Sequence, residues 1–241
     1  MIKAEHLSMV YGKDFKAVDG LSFEIKPGEI VGFAGPNGAG KTTVIKMLTG
    51  ILKPTEGTAT INGYDIVKDH LSAKRSFAYV ADNPDILLQL TGSEYINYIA
   101  DLYNVSKEAR RERIHELAER FGMTDSLGIP MKEYSHGMRQ KTMVIAALIH
   151  EPPAWILDEP MTGLDPTAAY ELKQMMKEHA AKGNAVLFST HVLEVAEKLC
   201  DRIMIIHHGH NLYQGTVEDL EKKHEGKDLE TIFIEITGGA R

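Results

Sequence analysis

Short apolar runs separated by turn residues make up the first part of the chain. Tyr11-Gly12 and Pro27-Gly28 carry the turn signals between these runs. Apolar stretches of this length, bounded by glycine and proline, predict β-strands. The strands predicted here are residues 2–7, 17–18, 21–25 and 30–34.

A second group of short runs continues the β pattern further along the chain. Asn62-Gly63 joins residues 57–61 to residues 64–66, an arrangement typical of a hairpin with a type I′ turn. A last apolar segment, residues 232–236, is expected to form a docked strand or a helix turn. The remaining strands are predicted at residues 76–80, 154–157, 185–190 and 202–206.

A block with helical periodicity, residues 84–152, interrupts the strands. Thr91 and Glu94 have the spacing of a capping box, and apolar residues follow at helical intervals. Residues 106–121 predict a second, highly charged helix. Ser135 stands at the N-cap of a third helix, whose first turn therefore offers free N–H groups and the positive end of a dipole. The order of elements favours an α/β fold with a helical insertion.

A phosphate-binding loop is predicted between the strand at residues 30–34 and the helix that follows, because the spacing is G-x-x-x-x-G-K-[ST]. Its glycines let the backbone curl so that consecutive N–H groups point inward, and the helix adds the positive end of its dipole. We expect Lys41 to reach the β- and γ-phosphates of a nucleoside triphosphate and the Thr42 hydroxyl to bind Mg²⁺. The loop consists of Gly35, Pro36, Asn37, Gly38, Ala39, Gly40, Lys41, Thr42 and Thr43.

Polar side chains follow two of the buried strands at their carboxyl ends. Asp158 and Glu159 come directly after residues 154–157, and His191 follows residues 185–190. In open α/β sheets the ligand crevice lies at this edge. Carboxylates can bind Mg²⁺ or polarise a water molecule. We therefore expect Asp158 to bind Mg²⁺, Glu159 to polarise water and His191 to lie near the γ-phosphate; a solvated strand end and a structural histidine are the alternatives.

The composition argues against several classes of function. The 241 residues carry a formal net charge of −7, whereas broad binding to nucleic acid needs a basic surface. No apolar run approaches the roughly 20 residues of a membrane-spanning helix, so direct membrane insertion is not expected. A single cysteine, Cys200, cannot form an internal disulfide and fits a reducing cytoplasm. We expect an intracellular protein without a secretion signal.

Taken in order, these residues resemble the nucleotide-binding subunits of ATP-binding-cassette (ABC) transporters over essentially the whole chain. The motifs that carry the resemblance are the adenine-stacking position Tyr11, the Walker A loop Gly35–Thr43, the signature Tyr134–Met138, the Walker B segment Trp155–Glu159, the D-loop Gly163–Pro166 and the switch histidine His191.

The resemblance implies a single ABC ATPase domain, residues 1–241, of the α/β class. It has a P-loop NTPase core with a mostly parallel sheet, an N-terminal antiparallel β subdomain and an inserted helical subdomain. Residues 1–83 and 153–222 would form the core with the β subdomain, and residues 84–152 would form the helical subdomain with the signature. Residues 223–241 would be a C-terminal tail.

Two motifs depart from the usual pattern of the family. The signature usually reads Leu-Ser-Gly-Gly-Gln, whereas here His136 replaces the first glycine and Met138 the glutamine. Ser135 and Gly137 are kept, so we expect a working site. Asp82 falls where the family normally has a glutamine or glutamate that senses Mg²⁺ and the membrane partner. Its shorter carboxylate can still bind Mg²⁺, directly or through water.

The implied function is an ATPase subunit that binds ATP and Mg²⁺ and powers a membrane transporter. Two subunits, identical or different, would meet head to tail, so that Ser135, Gly137 and Asp165 of one contact the ATP held by the other. A membrane permease would keep this pair at the inner, cytoplasmic face of the cell membrane. The signature variant and residues 228–235 are similar to the exporter branch, Ecs-type and drug-exporter-like.

A soluble ABC ATPase with a non-transport role, in DNA repair or chromosome organisation, is the main alternative. Proteins of that class carry a long coiled coil or zinc modules between Walker A and the signature. The stretch from Lys41 to Ser135 contains neither a heptad run nor a cysteine pair, which argues against this alternative.

Overall fold

The computed structural model describes residues 1–238. Its strands are β1 (Ile2–Tyr11), β2 (Phe15–Ile25), β3 (Ile30–Ala34), β4 (Glu56–Ile61), β5 (Tyr64–Asp65), β6 (Ala78–Val80), β7 (Ala154–Leu157), β8 (Ala185–Thr190), β9 (Arg202–His207) and β10 (His210–Gly215). Its α-helices are α1 (Lys41–Leu48), α2 (His70–Arg75), α3 (Gly92–Leu102), α4 (Lys107–Arg120), α5 (His136–Leu148), α6 (Pro166–Ala181), α7 (Leu193–Leu199), α8 (Val217–Lys223) and α9 (Leu229–Ile236).

The N-terminal strands form an antiparallel sheet in the order β2-β1-β4-β5. The predicted type I′ hairpin is confirmed, because Asn62 and Gly63 have φ angles of 51° and 85° between paired Ile61 and Tyr64. Strand β2 is continuous, although two separate strands were expected there. Its pairing with β1 has several register shifts, and Gly20 has a φ of 61°, so the strand bends instead of ending.

A six-stranded sheet in the order β10-β9-β3-β8-β7-β6 forms the centre of the molecule. Every neighbouring pair is parallel except β9 with β10. All residues of β3, β7 and β8 are buried, because helices cover both faces of a parallel sheet. The predicted α/β class with a mostly parallel sheet and an antiparallel β unit is confirmed.

Three helices, α3, α4 and α5, lie between β6 and β7, as the helical pattern predicts. The Thr91–Glu94 capping box is present at the start of α3, and Ser135 caps α5 by accepting the Met138 N–H. Apolar residues of these helices share one hydrophobic cluster with Trp155 and Val186 of the sheet. The helical block is therefore packed onto the sheet that carries the strand-end motifs.

The C-terminal apolar segment is helical, which decides between the two expectations for residues 232–236. Leu229 and Ile232 of α9 are buried in a cluster with Ala196 of α7. Of the predicted tail, residues 239–241 lie outside the described residues. Helices α2, α6, α7 and α8 are not among the predicted elements. Within residues 1–238, none of the helices is both long and apolar enough to span a membrane.

Removing the side chain that caps α3 should destabilise the fold without touching any motif. The Thr91 hydroxyl accepts the Glu94 N–H at 3.1 Å, while the Glu94 carboxylate accepts the Thr91 N–H at 2.8 Å. Loss of such a cap costs about 1 kcal/mol, so Thr91→Ala should lower the melting temperature by about 2–4 °C. Thr124→Ala, at an exposed position in a turn, is the matched control in the same thermal unfolding experiment. Equal melting temperatures for the two variants would contradict the assigned cap.

Candidate functional site

The loop from Gly35 to Thr43 forms a turn that opens directly into α1. Gly38 and Gly40 have φ angles of 79° and 108°, a region that favours glycine. A Cβ atom on Gly40 would lie 2.7 Å from the Ala17 carbonyl oxygen. Gly40 is also the N-cap of α1 and supplies no capping side chain, so the first N–H groups of this helix are left for an anion. The local backbone thus has the geometry that the glycine spacing predicts.

A cavity of about 310 Å³ lies over this loop. Tyr11 and Phe15 stand at its rim, 40% and 66% exposed, with their ring centroids 6.4 Å apart and their planes 23° from parallel. Exposure at this level excludes Tyr11 from the core, so its ring is available to a flat ligand. Phe15 is not among the predicted site residues, and its only signal in the sequence is an aromatic residue among charged neighbours. The cavity is lined by Tyr11, Phe15, Ala17, residues 36–43, Asp82 and Glu159.

Lys41 is buried at the centre of the loop, with 6% of its surface exposed. Its Nζ atom donates hydrogen bonds to the carbonyl oxygens of Gly35, at 2.6 Å, and Pro36, at 3.4 Å. The Glu159 Oε1 atom lies 3.5 Å from the same ammonium group. The loop therefore contains a fixed positive charge next to uncapped N–H groups, which together suit a polyphosphate.

Asp158 is fully buried at the end of β7. Its Oδ1 atom accepts a hydrogen bond from the Ser189 hydroxyl at 2.5 Å. Burial raises the pKa of this carboxyl group, and the Ser189 and Thr42 hydroxyls oppose the shift. Among residues 1–238 its Oδ2 atom has no hydrogen-bond partner. A buried, unpaired carboxylate oxygen close to a threonine hydroxyl fits a Mg²⁺ ion, because oxygen ligands of both kinds suit this cation.

Glu159 lies between Lys41 and His191. Its Oε2 atom is 2.9 Å from the His191 Nδ1 atom, and its backbone N–H donates to the Ser189 hydroxyl at 2.8 Å. The φ angle of Glu159 is 46°, a left-handed conformation that is uncommon for a residue with a side chain. This turn carries the carboxylate into the cavity, whereas Asp158 stays buried in the sheet.

Ser189 connects the two acidic residues and is a second residue of the site that is not among the predicted ones. Leu157 of β7 pairs with Phe188 of β8, so the next residues along both parallel strands, Asp158 and Ser189, lie side by side. The strand register places them together, and register is not visible in the sequence. A serine near the end of a buried strand, two positions before His191, is the only local signal.

Asp82 is exposed at the rim of the cavity, beyond the end of β6. Its Oδ1 atom accepts the Asn83 N–H at 2.9 Å, which fixes the start of the loop. The Asp158 N–H donates to the Val80 carbonyl oxygen at 2.8 Å and joins the ends of β6 and β7. The strand ends therefore bring Asp82 to the same cavity as the phosphate-binding loop, as the alignment with the family predicts.

Ser135, Gly137 and Asp165 lie together outside this cavity lining. Ser135 caps α5, and Asp165 caps α6 by accepting the Ala168 N–H at 2.8 Å. The Asp165 carboxylate also lies 2.9 Å from the Lys141 ammonium. The predicted site residues thus fall into two groups within one chain, one around the phosphate-binding loop and one at the start of α5.

A family model described as ABC transporter matches residues 18–162. The chain belongs to this family. It is an ATP-binding and ATP-hydrolysing subunit of an ABC transporter, and its fold, its P-loop and the strand-end residues agree with that assignment.

Several ATP-binding proteins of ABC transporters are similar to this one over nearly the whole chain. The ATP-binding protein NatA of Bacillus subtilis is 36% identical over 223 residues, which cover 92% of this chain and 91% of NatA. EcsA of the same organism is 36% identical over 219 residues, covering 90% of this chain and 89% of EcsA. The daunorubicin resistance protein DrrA3 of Streptomyces coeruleorubidus is 33% identical over 225 residues, covering 93% of this chain and 71% of DrrA3.

Solved ABC structures have the same fold. An ATP-binding subunit of an ABC transporter superposes with a TM-score of 0.93 at 34% identity, covering 98% of this chain and 99% of that protein. The ATP-binding cassette MJ0796, solved as a dimer in a post-hydrolysis state with ADP and Pi, gives a TM-score of 0.81 at 25% identity, covering 90% and 98% of the two chains.

Neutralising the buried carboxylate should stabilise the nucleotide-free subunit. Because burial raises the pKa of Asp158 in the folded state, its protonated form favours folding at low pH, and this contribution is lost as pH rises through the folded-state pKa. Asp158→Asn keeps the shape and the Ser189 hydrogen bond without the charge. At neutral pH this ABC subunit should then melt about 2–4 °C higher, with a smaller gain at acidic pH.

The matched control is Asp125→Asn, which neutralises an exposed carboxylate and should leave the melting temperature unchanged. Thermal unfolding is measured without nucleotide, and added Mg-ATP should stabilise the wild-type subunit more than Asp158→Asn. A melting temperature of Asp158→Asn at or below that of the wild type would contradict the inferred cost of the buried charge.

Removing the Tyr11 ring should loosen ATP binding while leaving the preference for a triphosphate intact. Stacking of a base on an aromatic ring contributes about 1–3 kcal/mol, so Tyr11→Ala should weaken binding about five- to hundred-fold. Titration with a fluorescent ATP analogue measures the effect. Tyr170→Ala removes an exposed ring on α6 and serves as the control. A loss below about two-fold for Tyr11→Ala would contradict the stacking role.

Proposed function

We propose that this subunit powers an ABC exporter by closing head to tail on a second ATPase subunit, with ATP held between the two. A membrane permease would anchor the pair at the inner face of the cell membrane. The observation that carries the proposal is the separation of two anion-binding elements, the uncapped start of α1 and the Ser135 turn, on different parts of one chain. Each element alone contacts one side of a triphosphate.

The phosphate side of the proposed site consists of charged and polar side chains that lie at the carboxyl ends of the strands. Lys41 exchanges its carbonyl partners for the β- and γ-phosphates when ATP binds, and Tyr11 stacks on the adenine. Thr42, Asp158 and Asp82 are the proposed ligands of Mg²⁺. When bound, this ion neutralises charge on the phosphates.

Hydrolysis is assigned to the pair formed by Glu159 and His191. The Glu159 carboxylate lies between two positive or hydrogen-donating groups, the Lys41 ammonium at 3.5 Å and the His191 ring at 2.9 Å. It can hold a water molecule and draw a proton from it as general base. The hydrogen bond to Nδ1 orients the imidazole, which leaves its Nε2 atom for the γ-phosphate. Positioning and electrostatics dominate catalysis of this reaction class.

The second side of the site is supplied by the partner subunit in this proposal. Ser135 and Gly137 of one chain contact the γ-phosphate of ATP bound to the other, and Asp165 approaches the same interface. The dimeric state of the solved cassette MJ0796 supports this assembly. The exporter direction is supported by the signature variant with His136 and Met138, and by similarity to a daunorubicin resistance protein. The permease would select the cargo.

Trapping ATP should produce a stable dimer. Glu159→Gln keeps the side chain's shape but removes the general base, so bound ATP persists and holds two subunits together. Light scattering after size-exclusion chromatography should give a monomer without nucleotide and a dimer with Mg-ATP. Adding Ser135→Arg places a bulky side chain at the interface and should restore the monomer. Adding Lys41→Ala should do the same by removing ATP.

A Glu159→Gln variant that binds ATP tightly and remains monomeric would contradict the proposed closure by nucleotide alone. The same measurement on the subunit bound to its permease then tests whether closure occurs only in the complex. Failure in both states would overturn the head-to-tail assembly.

A further inference from the structure

The start of α5 lies directly against the segment 160–165 of the same chain. His136, which replaces the glycine usual at this signature position, has its ring over Gly163: a Cβ atom added to Gly163 would overlap the His136 Cδ2 atom. Gly163 has a φ of 76°, so the backbone there already adopts a conformation that disfavours side chains. The His136 imidazole thus covers the backbone of Gly163, and it can do so only because residue 163 has no side chain.

Gly137 makes the closest backbone approach in the same contact. A Cβ atom on Gly137 would lie 2.6 Å from the Gly163 carbonyl oxygen, so any larger residue would push the two segments apart. This requirement exists within one chain and without nucleotide. Gly137 is therefore constrained by the D-loop as well as by its proposed contact with phosphate.

Two further contacts join α5 to this segment. The Gln140 side chain, 1% exposed, donates to the Pro160 carbonyl oxygen at 3.3 Å, and Lys141 pairs with Asp165 at 2.9 Å. The hydrogen bond of the buried Gln140 amide stabilises this contact more than the Lys141–Asp165 ion pair does. The Asp165 side chain is 54% exposed, and ion pairs at such positions contribute little. His136 lies at the opposite end of this row of contacts from Lys141, and its ring lies on the D-loop backbone at Gly163.

We propose that His136 is a positioning residue that holds the D-loop on the first turn of α5, so that the signature and the D-loop move as one body. This inference rests on the proposed head-to-tail dimer, in which both segments face the partner subunit. When Ser135 and Gly137 engage ATP in the partner, the D-loop of the same chain is carried along through the imidazole. The state of one nucleotide site thereby reaches the other.

Hydrogen exchange in the nucleotide-free subunit tests the contact by itself. The backbone turn that leads into the D-loop is closed by two hydrogen bonds, from the Thr162 N–H to the Glu159 carbonyl oxygen at 3.1 Å and from the Leu164 N–H to the Met161 carbonyl oxygen at 3.2 Å. His136→Ala removes the ring, and these two amides should exchange at least about five-fold faster. His136→Phe keeps a planar ring without nitrogens and should exchange like the wild type. His115→Ala, at an exposed histidine of α4, is the control.

Steady-state ATPase activity tests the functional consequence. For His136→Ala we expect kcat to fall about three- to ten-fold, at unchanged nucleotide affinity of the isolated subunit, because the Tyr11 and Lys41 cavity is untouched. His136→Phe should retain at least about half of the wild-type kcat. A general loss of stability would not explain a lower kcat at unchanged nucleotide affinity in His136→Ala. Nor would it explain why the ring of His136→Phe restores kcat.

Three results would overturn the proposal. The first is exchange of the Thr162 and Leu164 amides at the wild-type rate in His136→Ala, and the second is faster exchange of these amides with an unchanged kcat. The third is a loss of kcat in His136→Phe equal to that in His136→Ala, which would assign the imidazole nitrogens to the partner's phosphate instead. Failure of the head-to-tail dimer itself is seen separately, as a Glu159→Gln subunit that stays monomeric with ATP both alone and bound to its permease, and leaves the nucleotide-free exchange result standing.

Discussion

The buried carboxylate of Asp158 is the constraint on which the site depends. Removing an ion from water costs several kcal/mol even after relaxation of the protein, and within residues 1–238 the Ser189 and Thr42 hydroxyls oppose this cost. This cost agrees with the proposed role of Asp158 as a Mg²⁺ ligand, because an unpaired buried charge does not stabilise the fold. The neighbouring Glu159 is turned out of the sheet by its left-handed backbone, so the two adjacent acids have different surroundings, in keeping with the different roles proposed for them.

The parallel pairing of the strands brings motifs that are distant in sequence together in one site. β3, β7 and β8 run in the same direction, so the phosphate-binding loop, the two acids and His191 all emerge at one edge of the sheet. The Glu159 carboxylate then contacts both Lys41 and His191, although these residues are far apart in sequence. The hydrophobic cluster shared by the sheet and the helical block holds this edge and the signature turn on a common core.

Features that depend on local spacing could be predicted from the sequence. The phosphate-binding loop, the Asn62-Gly63 hairpin and the Thr91 cap each lie within a few residues of chain, and their geometry follows from backbone preferences. Features that depend on tertiary register could not. Ser189 joins the two acids only because β7 and β8 pair in one alignment, and the continuity of β2 depends on bulges against β1. Phe15 reaches the cavity for the same reason, through a pairing with Tyr11.

The exposed pair of rings at the cavity rim bears on which nucleotides the subunit consumes. Tyr11 and Phe15 present flat faces, and a face holds a base by contact area without distinguishing the groups along its edge. In the proposed function, selection therefore acts on the number of phosphates, through the buried Lys41 ammonium and the loop N–H groups, far more than on the identity of the purine. The proposed stacking would then extend to guanine nucleotides, and the relative concentrations of purine triphosphates in the cell would set which one the subunit hydrolyses.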